Sequence, residues 1–243
     1  MLQVKVLITQ IFVKLGKKWI DTFWEKQDQR VLLTNKPFQI AIGSTGEPTI
    51  HPEFCDFLKT VYESGVVPNY TTNGIILANK TSVSEAIMEA TRKYVGGVAV
   101  SFGNKSLRDY ARTAVTNLIN LGNTNVNIHH IISDKESVDE FIAEWASYGD
   151  DILYHVLLAL MPSGRSSEGV TEGTFEYLEE MIEKNGIKNV AFGAHFIKDL
   201  RDSKIKTWLY DEQSFSKNII LTKDLVQITP SSFDLNPIMT IKL

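Results

Sequence analysis

Residues 43–49, GSTGEPT, combine residue types that can hold a small ligand carrying an amino group. A mostly apolar run, residues 38–42, leads into this turn, which contains Gly43, Gly46, Glu47 and Pro48. Glycine lets the backbone come within hydrogen-bonding distance of a ligand, because it has no Cβ. Glu47 adds a carboxylate that can accept from an ammonium group, and Pro48 restricts the backbone that follows. On these residues alone, a ligand-binding turn and an ordinary glycine turn between a strand and a helix are equally well supported.

The chain has 243 residues, of which 43% are hydrophobic and 22% charged, as in an ordinary globular protein. Its net charge of -4 gives no strong signal of nucleic-acid binding. No apolar run approaches the roughly 20 residues that span a bilayer. The apolar segment 1–19 contains interspersed lysines and no cleavage site follows it, so it predicts a strand rather than a signal peptide. A single cysteine, Cys55, excludes an intrachain disulfide and favours a cytoplasmic location.

Strand and helix patterns alternate along the chain with a spacing of about 30 residues, as repeated βα units predict. Pairs resembling capping boxes, Ser82 with Glu85, Ser106 with Asp109 and Ser133 with Glu136, predict where helices begin. Several strands are apolar with little alternation, which is typical of a parallel sheet covered on both faces. The pattern predicts an α/β fold with a mainly parallel sheet, in one domain spanning residues 1–243. The predicted strands are 3–12, 38–43, 66–72, 96–102, 125–132, 152–160 and 189–195.

Ligands of such folds bind at the C-terminal ends of the strands, so the polar residues there are the candidates. The third strand ends in Thr-Thr-Asn-Gly at residues 71–74, and the fourth ends near Ser101. In the fifth strand, Asn127 and His129 share a face and His130 points to the opposite one. Too few potential ligands converge here for a metal site, and no catalytic residue is assigned.

Five segments in this order are similar to the core domain of radical S-adenosylmethionine (SAM) proteins. GSTGEPT resembles the family's glycine–glycine–glutamate–proline motif, which binds the SAM amino group, with Thr45 replacing the first glycine. PNYTTNG and VAVSF resemble the next two strand ends, and NIHHII and LLALMPSGR resemble the two after those. The resemblance implies a partial (β/α)6 TIM-like barrel with its core at about 38–162 and a C-terminal extension at about 196–243. The SAM contacts that it implies are Gly43, Ser44, Gly46, Glu47, Pro48, Thr72, Asn73, Ser101, Asn127, His129 and Met161.

The chain departs from the family after the first strand. Family members carry a C-x3-C-x2-C motif there, whose cysteines bind the 4Fe–4S cluster that cleaves SAM to a 5′-deoxyadenosyl radical. Here the stretch reads ITQIFVKLGKKWIDTF, and a single thiolate at Cys55 cannot replace three. The first strand and cluster loop are therefore expected to be altered. Three explanations stand: a reading frame that starts late or crosses a frameshift, a separate chain carrying the cluster segment, and a true homologue without a cluster.

Two functions follow from these features. The first is a SAM-binding core, truncated or degenerate, which lacks its own cluster ligands and cannot cleave SAM alone. The second is a non-catalytic scaffold or partner-binding barrel, which the missing cysteines favour and the retained Glu47 and Thr72 disfavour. A barrel hydrolase using His129 or His155 lacks a nucleophile–base constellation. The substrate is not predicted, and residues 218–229 of the extension resemble a hairpin.

Overall fold

The computed structural model describes the following parts of the chain: residues 3–8, 39–43, 46–103, 105–161, 169–193, 196, 203, 216–221, 225–229 and 239–242. Three parts of the predicted site lie outside the described residues: the stretch where the family carries its cluster motif, and Ser44 and Thr45 in the glycine turn. The altered cluster loop therefore stays a prediction.

Within the described residues, ten strands form one sheet in the order β10-β9-β8-β1-β2-β3-β4-β5-β6-β7. The eight strands from β8 to β7 in this order pair in parallel, whereas β9 and β10 are antiparallel. The predicted α/β fold with a mainly parallel sheet, consistent with a partial TIM-like barrel, is confirmed. The strands are β1 (Gln3–Ile8), β2 (Gln39–Ile42), β3 (Val67–Thr72), β4 (Gly97–Ser101), β5 (Val126–Ile132), β6 (Tyr154–Ala159), β7 (Val190–Phe192), β8 (Ser216–Leu221), β9 (Leu225–Thr229) and β10 (Met239–Lys242).

Helices connect the successive parallel strands from β2 to β7. They are α1 (Phe54–Glu63), α2 (Ile75–Ala78), α3 (Ser82–Tyr94), α4 (Arg108–Asn120), α5 (Lys135–Tyr148) and α6 (Thr174–Asn185). Short 3-10 helices occupy Pro48–Ile50, Lys105–Leu107 and Gly149–Asp151. No helix among the described residues is both long enough and apolar enough to cross a membrane.

The helices cover one face of the sheet, which we call the covered face. In β5, Val126, Ile128, His130 and Ile132 are buried there, while the residues between them are half-buried on what we call the open face. β3 alternates in the same way. Side chains on the covered face form a core with Leu58 of α1 and Val115 of α4. The expectation of a sheet covered on both faces therefore does not hold for β3 and β5, because the described helices pack on one side only.

The helix caps lie one residue away from two of the predicted positions. Thr81 and Asp134 are the N-caps of α3 and α5, and each forms a capping box with a serine, Ser84 or Ser137. The predicted caps Ser82 and Ser133 lie just inside the first helix and just before the second cap. α4 begins after Leu107 without a side-chain cap. A serine at the third helical position replaces the glutamate of the usual motif, which explains the shifted prediction.

The C-terminal hairpin is confirmed, since β8 and β9 pair antiparallel. The sequence did not indicate where it docks. β8 lies parallel to β1, with Gln3 opposite Ser216 and Ile8 opposite Leu221. The C-terminal strands therefore extend the sheet beyond β1.

Candidate functional site

The Glu47 carboxylate joins the end of β2 to the end of β3. Its Oε1 accepts from the Thr49 N–H at 3.1 Å, from the Thr49 hydroxyl at 2.6 Å and from the Thr72 hydroxyl at 2.8 Å. Its Oε2 accepts from the Asn73 N–H at 2.7 Å. Hydrogen bonds to an ionised acceptor are among the stronger ones in proteins, so this side chain fixes the two loops relative to each other.

The residues after β3 continue the same network. The Thr72 hydroxyl also accepts from the Gly74 N–H at 3.1 Å, and the Asn73 amide oxygen accepts from the Ile75 N–H at 2.9 Å. Gly74 has a φ of 82°, and a Cβ built on it would lie 3.0 Å from the Ala114 Cβ. The turn therefore needs glycine both for its backbone conformation and for its close packing against α4.

Thr72 belongs to the covered face. Its backbone is paired with Val100, which is fully buried, and its own side chain is only 2% exposed. Ser101 follows Val100 and therefore points to the other face. Contact between Thr72 and a ligand stays a prediction, while the contact that the structure shows is with Glu47.

Gly43, Gly46 and Pro48 belong to the same turn as Glu47. Gly43 follows β2 with a φ of 142°, a backbone conformation that favours glycine. Gly46 is exposed, and Pro48 is buried at the first position of the short 3-10 helix that Glu47 precedes. Contact between this turn and a ligand stays a prediction.

On the open face, Ser101 and His129 are neighbours on adjacent strands. They are register partners of β4 and β5, and both are half-buried. Asn127 lies on the same face two residues before His129, or about 7 Å further from the ligand-binding edge. Its amide donates to the Val98 carbonyl at 3.4 Å. Met161 follows β6 and is half-buried. As predicted, Asn127 and His129 share a face that excludes His130.

On the covered face, His130 contacts His155 of β6. His130 Nε2 and His155 Nδ1 are 3.0 Å apart, and both residues are buried. Burial lowers the pKa of His155 to about 4, and burial together with the neighbouring His155 lowers the pKa of His130 well below its usual value. Both rings are therefore neutral near pH 7.

A pocket of about 220 Å³ opens at the strand ends between α4 and α5, with His130 and Phe141 among its lining residues. Several charged groups in and beside this pocket form ion pairs. Arg108 bonds Glu140 at 2.8 Å, Lys105 bonds Glu136 at 2.9 Å, and Arg112 bonds the buried Glu144. The charges near this pocket therefore stabilise the contact between the two helices.

The sequence reasoning missed two hydrogen-bonding groups, one in the Glu47 network and one on the open face. Thr49 is 2% exposed and supplies two of the four donors to Glu47. On the open face, the Asn69 amide donates to Gln39 at 3.1 Å, linking β2 and β3. A threonine two residues after an acidic residue signals a local side-chain turn, and this signal could have identified Thr49.

The one cysteine of the sequence is the residue to consider for a 4Fe–4S cluster. Cys55 lies on α1, half-buried, where burial raises the pKa of its thiol. The described residues contain no group of three His, Cys, Asp or Glu side chains that could hold a metal ion. A cluster needs several thiolates, so no chemistry is assigned to one here.

Solved structures of Streptococcus suis SuiB are similar to this chain. SuiB bound to the precursor peptide SuiA aligns with a TM-score of 0.65 over 99% of this chain, at 14% identity. SuiB bound to S-adenosylmethionine aligns with a TM-score of 0.65 over 98%, also at 14% identity. A further SuiB structure aligns with a TM-score of 0.63 over the whole chain, at 15% identity.

This likeness supports the α/β fold with a mainly parallel sheet that the sequence predicts. The chain spans 61% of the SuiB chain in the peptide complex and 62% in the SAM complex. Neither a protein-family model nor a curated protein matches the sequence.

Proposed function

We propose that this chain is a SAM-binding core of the radical SAM type, with its ligand site where β2 to β6 end. The observation that carries the proposal is the pairing of Ser101 and His129 on the open face, beside a glycine turn that the Glu47 network orders. The SAM complex of SuiB, which has a similar fold, supports the choice of ligand.

The proposed contacts divide by ligand group. Gly43, Ser44, Gly46, Glu47 and Pro48 form the turn that receives the methionine amino group. Thr72 and Asn73 hold that turn in place. Ser101 donates to the carboxylate and His129 contacts a ribose hydroxyl. Asn127 and Met161 complete the site toward the nucleoside.

Calorimetric titration with SAM tests the proposal. The wild-type chain is expected to bind, and Ser101→Ala or His129→Ala should each weaken binding by roughly two- to tenfold, the loss of one neutral hydrogen bond. Ser147→Ala is the matched control, because Ser147 is exposed at the far end of α5. Equal affinities of wild type and both site variants would contradict the assignment.

We also propose that these 243 residues do not assemble a 4Fe–4S cluster by themselves, because their single cysteine lies on α1. Iron–sulfur reconstitution of the chain should give no stoichiometric iron and no cluster absorption in the visible range. About four irons per chain would refute this and indicate other ligands.

The alternative is a non-catalytic scaffold that retained the fold and lost the cofactor, and the single cysteine favours it. Fold alone does not separate the two functions. Absence of SAM binding by the correctly folded wild-type chain would favour the scaffold.

A further inference from the structure

We propose that Glu47 acts as a positioning residue that ties the glycine turn to the end of β3, rather than as a direct ligand of the bound molecule. This inference rests on the SAM-binding function proposed above and assigns a role within the same site. It changes which substitutions should weaken binding and why.

The first argument is the use of the carboxylate. Both oxygens accept hydrogen bonds from the protein, Oε1 from three donors and Oε2 from the Asn73 N–H. An incoming ammonium group would have to compete with three donors at Oε1 and would lie beside the Asn73 N–H at Oε2. A carboxylate that accepts four hydrogen bonds within the protein contributes order to the loops that it joins.

The second argument is the burial of its partners. Thr49 and Thr72 are each 2% exposed, so neither side chain offers surface to a ligand. Thr72 also connects the carboxylate to Gly74, which packs tightly against α4. A continuous set of contacts therefore runs from α4 through Gly74, Thr72 and Glu47 to the glycine turn.

The consequence is that the turn recognises its ligand through the backbone and the geometry that Glu47 imposes. Gly46 and Gly43, without Cβ atoms, expose that backbone. Loss of Glu47 should then act in the same way as loss of Thr72, whose side chain is buried.

Amide hydrogen exchange of the ligand-free protein is the first test. The Asn73 N–H should exchange roughly tenfold faster or more in Glu47→Gln than in wild type, since a hydrogen bond to a charged acceptor contributes about 1.5–3 kcal/mol. The glutamine amide offers one acceptor oxygen where both carboxylate oxygens now accept. The Asn79 N–H, bonded to the Ile76 carbonyl, is the internal reference. Unchanged exchange at Asn73 would show that Glu47 does not hold the glycine turn to the end of β3, whether or not the chain binds SAM.

A double-mutant cycle with SAM affinity is the second test. Glu47→Gln and Thr72→Val should each weaken binding by a similar factor, and the double variant should lose little more than either single one. Thr72→Ser, which keeps the hydroxyl, should restore most of the affinity. Weaker binding in Glu47→Gln with unchanged binding in Thr72→Val would make Glu47 a direct ligand and overturn the proposal. Absence of SAM binding by wild type would refute the proposed function. The exchange result would still decide whether Glu47 holds the turn to the end of β3.

Discussion

His129 and His130 are adjacent in the chain but lie in opposite environments. His129 is half-buried on the open face, beside Ser101 of the next strand. His130 is 5% exposed on the covered face, where it stacks on His155 and meets Phe141 edge-on. The comparison shows that polar residues at the end of a sheet are not equivalent. His130 on the covered face bonds another buried side chain, whereas Ser101 and His129 lie half-buried on the face where we propose that a ligand binds.

The largest effect is expected on the covered face, at Gly74. Gly74→Ala should destabilise the protein by about 2–5 kcal/mol, the sum of a left-handed backbone penalty and overpacking against Ala111 and Ala114. Gly122→Ala is the matched control, because Gly122 has a similar φ of 80° and nothing within 4 Å of the added Cβ. It should lose only about 1–2 kcal/mol. Urea unfolding measures both, and equal losses would show that packing at Gly74 is unimportant.

Substitution of His129 and His130 compares the contributions of the two faces to stability. His130→Ala should lose about 2–3 kcal/mol of stability, because it leaves His155 without its partner and opens a cavity among aromatic rings. His129→Ala should lose less than about 1 kcal/mol, since it is half-buried. The urea midpoints of the two variants provide the measurement. The reverse order would break the assignment of the faces.

Acid should destabilise the protein through the two buried histidines of the covered face. The folded-state pKa values of His130 and His155 are lowered, so the unfolded chain binds more protons once the pH falls below about 6.5. Above about pH 6.5, the two histidines should not change the free energy of unfolding. Between that pH and pH 5, each histidine should lower it by about 1.4 kcal/mol per pH unit. The loss from His155 should continue to its folded pKa of about 4.

Urea unfolding at pH 7, 6 and 5 measures this loss. The double variant His130→Leu/His155→Leu should have a flatter dependence over the same range. An equal slope in the double variant would show that other groups are responsible.

The strand pattern could be predicted from the sequence, because apolar runs at βα spacing are local signals. The strand predicted at 125–132 is observed as Val126–Ile132, and the one at 66–72 as Val67–Thr72. The docking of β8 beside β1 could not be predicted, because it joins residues more than 200 positions apart, such as Gln3 and Ser216.

The candidate site was predictable only by position. The sequence placed Glu47 and Thr72 at strand ends, but not the bond of 2.8 Å between them. A shift of one residue along a strand exchanges its faces, so the direction of Thr72 depends on the register with Val100. Neither the register nor the burial of a polar side chain is a local property of the sequence.

The most direct test of SAM binding at the open strand ends is a hydrogen-exchange footprint of the full chain with and without SAM. The account predicts slower exchange with SAM at residues 46–49 in the glycine turn, at 101–103 at the end of β4, and near His129, the β5 residue paired with Ser101. Protection confined to residues 105–108 and 133–140, which include lining residues of the pocket between α4 and α5, would place the ligand elsewhere and contradict it. No change at any amide under saturating SAM would contradict it as well.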